Sequence, residues 1–171
     1  MKTKLALLIL VLLVPAVFVV AHGSSDIEKF NAVSDKVATG GQPTPAQMLD
    51  LSREGYKTVI CLREPGEFDA KAEEASAKSH GLTWVNIPVN RENPKPEQVD
   101  AFLAALSSPK VYPVFIHCGT GNRVAAFWMV RRVLVDKWDL EDAQHEAKLV
   151  GLKGEAMKEF ALNYIKTHPA K

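Results

Sequence analysis

Apolar residues along this chain fall into two patterns, short unbroken runs and positions spaced three or four apart. The runs at 56–62, 83–89 and 111–117 are rich in β-branched and aromatic residues and are bounded by Gly, Pro or polar residues, as in strands buried on both faces. Pro88 breaks the second of them. Val99, Phe102, Leu103 and Leu106 stand at i, i+3, i+4 and i+7, which puts them on one face of a helix packed on the sheet. Thr44, Pro45, Ala46 and Gln47 form a capping box with proline in the first turn, so a helix starts there and is expected to stop at Gly55. The alanine-rich stretch 67–80 predicts another helix, ended by Gly81. A helix containing Trp128 and Met129 follows the third strand; Asp139 is expected to cap the next, running to Val150, and Gly154 to open a last one through Ile165. Residues 30–39 read as a short strand pair or extended arm ending at Gly40 and Gly41, where the backbone can turn as other residues cannot. Strand and helix alternate with no repeat and no linker. The expected fold is therefore an α/β three-layer sandwich, with a mostly parallel central sheet, helices on both faces and a site at the carboxyl ends of the strands. Trp84, Trp128 and Trp138 are expected in the core.

The beginning of the chain departs from this pattern. Met1 to Lys4 is basic, and the seventeen residues 5–21 are uninterrupted apolar sequence ending in small or aliphatic residues at Val19 and Ala21. This reads as a secretory signal peptide over 1–21, followed by a polar, disordered lead-in over 22–29 and one domain over 30–171. The competing reading is a retained anchor, since seventeen residues lie at the lower limit for spanning a bilayer; Pro15 favours cleavage. The expected location is secreted or periplasmic, with no membrane association after cleavage. Composition is ordinary for a globular domain, 47% hydrophobic and 24% charged. Removing Lys2 and Lys4 with the leader moves the formal charge from +1 to −1, which argues against a nucleic-acid partner. Two cysteines, Cys61 and Cys118, stand in a compartment that permits disulfides, but sequence cannot pair them. If their strands are neighbours, a reversible bridge protecting Cys118 is conceivable; the plainer reading of Cys61 is a buried strand residue.

The candidate chemistry lies at the end of the third apolar run. There the chain reads His117, Cys118, Gly119, Thr120, Gly121, Asn122, Arg123 and then enters a helix. A strand ending in a glycine-bearing loop that opens a helix directs backbone N–H groups and the positive end of the helix dipole toward one point, which suits an anion. Cys118 faces that field, which favours thiolate over thiol. Arg123 can grip two oxygens of a phosphate with its planar fork. Cys118 is thus the candidate nucleophile and Arg123 the stabiliser of transition-state charge. Gly119, Thr120, Gly121 and Asn122 are the candidate substrate-binding residues.

This order resembles the His-Cys-(x)n-Arg signature of the cysteine-dependent protein tyrosine and dual-specificity phosphatases. Those enzymes place five residues between cysteine and arginine, whereas four stand here. The shorter loop is similar to that of the phosphatase domain of beta-lactamase hydrolase-like proteins. Gly41-Gln42-Pro43 and the strand 58–63, closing on Leu62-Arg63, resemble the same family, and the similarity spans roughly residues 30–152. What the resemblance implies is a tyrosine phosphatase-like fold and hydrolysis of a phosphomonoester, phosphotyrosine included, through a phosphocysteine intermediate. It implies a phosphorylated small molecule or protein as partner, no cofactor and no metal. His117 would tune the thiolate through the loop without touching substrate, and Arg63 and Gln42 would face the loop; alternatively Arg63 pairs with Glu64 or Glu67. Relatives take the general acid from an aspartate upstream, but no Asp lies between Asp69 and Asp100. Glu92, 26 residues before Cys118, is the nearest candidate, with Glu64 and Glu67 competing. The hydroxyl that usually follows the arginine is replaced by Val124, leaving Thr120 as its substitute. Two alternatives stay open: a rhodanese-like sulfurtransferase, whose loops share this six-residue length, and an inactive anion-binding module.

Overall fold

A computed structural model describes residues 23–168; the leader expected over 1–21 lies outside them. The elements are β1 (Asn31–Ser34), β2 (Val37–Gly40), α1 (Pro45–Arg53), β3 (Thr58–Cys61), α2 (Ala70–Ser79), β4 (Thr83–Asn86), α3 (Pro96–Ala105), β5 (Val114–His117), α4 (Asn122–Leu134), α5 (Leu140–Val150) and α6 (Glu155–Thr167). The five strands form one sheet in the order β1-β2-β5-β3-β4. Only the β1–β2 pair is antiparallel; β2–β5, β5–β3 and β3–β4 run parallel. The central strand is thus β5, and its carboxyl end points into the site.

Alternation along β5 divides the core. Val114 and Ile116 face a large apolar cluster formed with α3, α4, α5 and α6, while Phe115 faces a smaller one formed with Met48 and Leu51 of α1 and Ala77 of α2. His117, two residues after Phe115, shares its face and stacks on its ring, centroids 5.8 Å apart. Helix α4 is the most deeply set helix, with residues 123–130 all buried.

Several expectations need correction. The lead-in is ordered over 23–29: Ser24 donates its backbone N–H to Glu54 at 3.0 Å, and Ile27 is buried in the smaller cluster, which gives this polar stretch an apolar anchor. The helix expected from 67 begins at Ala70, because the turn started by Pro65 and Gly66 continues until Asp69 caps the helix through the Ala72 N–H. The third run is strand only from Val114; Pro109–Val111 forms a short 3-10 turn and Tyr112–Pro113 is cis. Asp139 occupies the cap position of α5 without making a side-chain capping bond. Trp128 is buried, but Trp138 is 38% exposed and lies against Arg132, 4.1 Å from its ring centroid. The Thr44 capping box is formed as expected.

Candidate active site

The cradle runs from β5 into α4. Cys118 ends the strand, buried, with its N–H on Gly40 O at 3.4 Å. From there the loop is held on its outer side: Gln42 N donates to Gly119 O at 3.1 Å, and Gly41 bridges Thr120. Gly41 must be glycine for this approach, since a Cβ there would stand 2.8 Å from Gly119 O. Gly121 turns the chain into α4 at φ +87°, a left-handed conformation, and a Cβ on it would meet Val150 O at 2.9 Å. Helix α4 then starts with no side-chain cap, so its first-turn N–H groups lack both capping and intrahelical acceptors. Asn122 points its side chain away from the cradle: Oδ1 accepts from Lys153 N (2.8 Å) and Gly154 N (2.9 Å), which fastens the start of α4 to the α5–α6 connection. Only its backbone N–H is left to face the cradle. Thr120 is exposed, and Val124 is buried.

Arg123 is buried and held by named acceptors. Its Nη1 donates to Glu67 Oε1 (2.5 Å) and Val89 O (2.9 Å), and Nη2 to Glu67 Oε2 (2.7 Å). A guanidinium has five N–H donors, so one Nη2–H and the Nε–H remain, on the same edge of the fork. That edge is the one a phosphoryl group would take, while Glu67 fixes the opposite end. Burial opposes the charge on Arg123, yet the Glu67 hydrogen bonds and the neighbouring Cys118 outweigh it and hold the guanidinium above its ordinary value. In turn the Arg123 hydrogen bonds hold Glu67 at about 2, below the usual carboxylate range. Glu67 is thus a carboxylate at neutral pH.

The remaining sequence candidates sit around this pair. Arg63 donates to Gln42 Oε1 at 2.7 Å and to Glu67 O, and lies over the Phe68 ring at 4.8 Å. Its Nε is the one buried side-chain polar atom without a hydrogen bond among the described residues; Glu67 Oε2 is 3.6 Å away. Glu64 accepts from Asn90 Nδ2 at 3.0 Å, and Asn90 Oδ1 receives the N–H groups of Glu92 and Asn93, folding the polar loop onto Glu64. The Glu92 side chain is 76% exposed and pairs with Arg91 at 3.1 Å. A cavity of about 240 Å³ opens beside the cradle between the starts of α1 and α2, lined by Gln42, Pro43, Met48, Arg63, Phe68 and Asp69 among others.

Below the cradle lies a network not foreseen from sequence. His117 Nε2 and Glu73 Oε1 are 3.0 Å apart, both residues buried; Trp84 Nε1 also donates to Glu73 Oε1 at 2.8 Å, and Gln42 Nε2 to Oε2. Cys61, whose register partner is His117, brings its sulfur within 4.8 Å of the same groups. These three side chains are a possible metal-ligand set, but Glu73 and His117 already satisfy each other, and burial followed by Glu73 pushes the Cys61 thiol up, away from the thiolate a metal needs. Both cysteines are free and buried. The signal that could have found Glu73 was available: it stands four residues before Ala77 on the inward stripe of α2, where a carboxylate requires a partner.

Comparison with known proteins bears on this geometry. A family model described as DSP-PTPase phosphatase fused to NAD+ kinase matches residues 12–162. A beta-lactamase hydrolase-like protein of Xylella fastidiosa is 27% identical over 106 residues, 60% of this chain but 24% of that protein, so the match spans about a quarter of that relative's length. Among solved structures, the core catalytic domain of the PP-IP phosphatase SIW14 from S. cerevisiae, in complex with citrate, is similar with a TM-score of 0.69 and 19% identity, covering 81% of this chain and 86% of that one. TpbA from P. aeruginosa, carrying a cysteine-to-serine substitution and bound to pTyr, is similar with a TM-score of 0.65 and 20% identity, covering 88% of each chain. At these identities the two structures speak for the fold alone.

Proposed function

The chain belongs to the DSP-PTPase phosphatases of the type fused to NAD+ kinase, and from that membership we propose that it hydrolyses phosphomonoesters through a thiolate on Cys118. The observation that carries the reading is the Arg123 fork, oriented by Glu67 from one end so that two N–H groups remain for an anion at Cys118. In this reading the Cys118 sulfur attacks phosphorus as the bond to the leaving oxygen breaks, and the leaving oxygen takes a proton. Water then attacks the phosphocysteine, releasing phosphate and restoring the thiolate. The loop N–H groups and Arg123 hold the equatorial oxygens, where charge stabilisation counts most.

For the proton donor, Glu67 is poorly suited, since Arg123 keeps it ionised. Glu92, on an open loop pinned to Glu64 through Asn90, is the proposed acid, with Glu64 the competitor. Thr120 is the hydroxyl nearest in sequence to assist release of the thiolate. The leaving group would extend toward the Gln42–Phe68 cavity, which abuts the loop at Gln42. SIW14 and TpbA carry different ligands and names, a PP-IP phosphatase and a pTyr complex, and both substrate classes are candidates for this cavity. We further propose that residues 1–21 direct the protein out of the cytoplasm; amino-terminal sequencing of the mature protein beginning at His22 would support this, and an intact Met1 terminus would refute it.

The test is hydrolysis of a generic aryl phosphate, with loss on Cys118→Ser and inhibition by vanadate. Activity that survives the serine change would refute the reading. Transfer of sulfur from thiosulfate to cyanide, without phosphate release, would instead support the rhodanese-like alternative.

A further inference from the structure

Glu73 takes no part in the steps above, yet it is a buried carboxylate with three donors on it: His117 Nε2, Trp84 Nε1 and Gln42 Nε2. Burial disfavours its charge, but the pairing with His117 and the bonds from Trp84 and Gln42 outweigh burial and hold it below the ordinary glutamate value. The fully buried ring of His117 is enclosed by acceptors on both sides. Nε2 faces Glu73 Oε1 at 3.0 Å, and Nδ1 faces the Cys118 carbonyl at 3.3 Å. A carboxylate and a carbonyl are each met only by an N–H, so both ring nitrogens face groups that call for a donor.

We propose that Glu73 is a positioning residue for the nucleophile: its carboxylate keeps His117 as an imidazolium, which anchors the Cys118 backbone through Nδ1–H and favours the Cys118 thiolate. The inference rests on the reading of Cys118 as nucleophile. The other charged or titratable groups around the cradle leave this role open. Cys61, on β3, is held as a neutral thiol. Arg123 and Glu67 compensate each other across the loop, and Arg63 is turned toward Gln42 and Phe68. The ring lies between Glu73 and the residue that follows it, so the positive end of the pair is the end nearer Cys118.

The experiment follows alkylation of Cys118 by iodoacetamide across pH, read on the Cys118 peptide by mass spectrometry so that Cys61 does not interfere. Glu73→Gln keeps an acceptor for Trp84 and His117 but removes the charge. The expected result is a rate at about pH 6 lowered roughly tenfold, the effect of about one unit in the thiol equilibrium, with the rate recovering at high pH. In a His117→Gln background the same change should add nothing. An unchanged profile, or a loss equal at every pH, would overturn the proposal. Should Glu73→Gln fail to fold, nitrogen NMR of the wild-type His117 ring at neutral pH decides: two ring N–H signals support the proposal and one overturns it. Alkylation needs no phosphatase turnover, so a protein that shows the shift but hydrolyses no phosphate ester would refute the phosphatase reading and leave this one standing.

Discussion

Replacing Glu67 by glutamine keeps the side chain's shape and removes the charge that holds Arg123. The carboxyl lies at about 2 against an ordinary 4.5, a difference of 2.5. At about 1.36 kcal/mol per unit, the unscreened ceiling is about 3.4 kcal/mol. The Glu67 side chain is 30% exposed at the rim of the site, so solvent screening reduces the expected loss to about 1–2 kcal/mol at neutral pH. The sign follows from the depressed value: the contribution is fully present above the unfolded-state glutamate value and is lost as pH falls through the folded one. Urea denaturation of wild type and Glu67→Gln, followed by tryptophan fluorescence, should show wild type more stable at pH 7 and the two curves converging between about pH 4.5 and pH 2. Phosphate-analogue binding should weaken in the variant as well, because the free edge of Arg123 is no longer fixed. Equal stability at pH 7, or a deficit that persists unchanged to pH 2, would refute the reasoning.

Two further outcomes follow from the loop. Gly121→Ala places a Cβ at φ +87° and 2.9 Å from Val150 O, a backbone atom that cannot move without the end of α5; a left-handed alanine alone costs about 1–2 kcal/mol, so melting should fall by about 5 °C with loss of anion binding, and unchanged melting would contradict the packing described. Glu92→Gln should lower kcat by roughly a hundredfold on a tyrosyl or alkyl phosphate and far less on an activated aryl ester; an equal effect on both would remove Glu92 from the mechanism in favour of Glu64.

Local signals made much of this legible. The capping box of α1, the glycine ends at Gly55 and Gly81, the apolar spacing of α3 and the strand-loop-helix around Cys118 all depend on residues within a few positions of one another, and all are present. The α/β class and the mostly parallel sheet followed from strands alternating with helices, whereas the strand order did not. What escaped were partnerships across long separations. Glu67, in the turn before α2, reaches Arg123 over 56 residues, and Glu73 reaches His117 over 44 from α2, which packs on the opposite face of the sheet from α4. Nothing local distinguishes Glu67 from Glu64, since both follow the same strand. The tie made by the Asn122 side chain escaped for a similar reason: the backbone donors that take it, Lys153 N and Gly154 N, lie 31 and 32 residues further on in the α5–α6 connection. The lead-in was expected to be disordered because it is polar and small, yet burial of Ile27 and the bond from Ser24 to Glu54 dock it.

The central claim is that Cys118 carries the phosphoryl group between substrate and water. Rapid acid quenching of the protein during turnover of an aryl phosphate, followed by peptide mass spectrometry, tests it directly. One phosphoryl group is expected on the peptide containing Cys118, absent without substrate and absent in Cys118→Ser. Turnover with no modified Cys118 at any quench time, or phosphoryl on another residue, would contradict it.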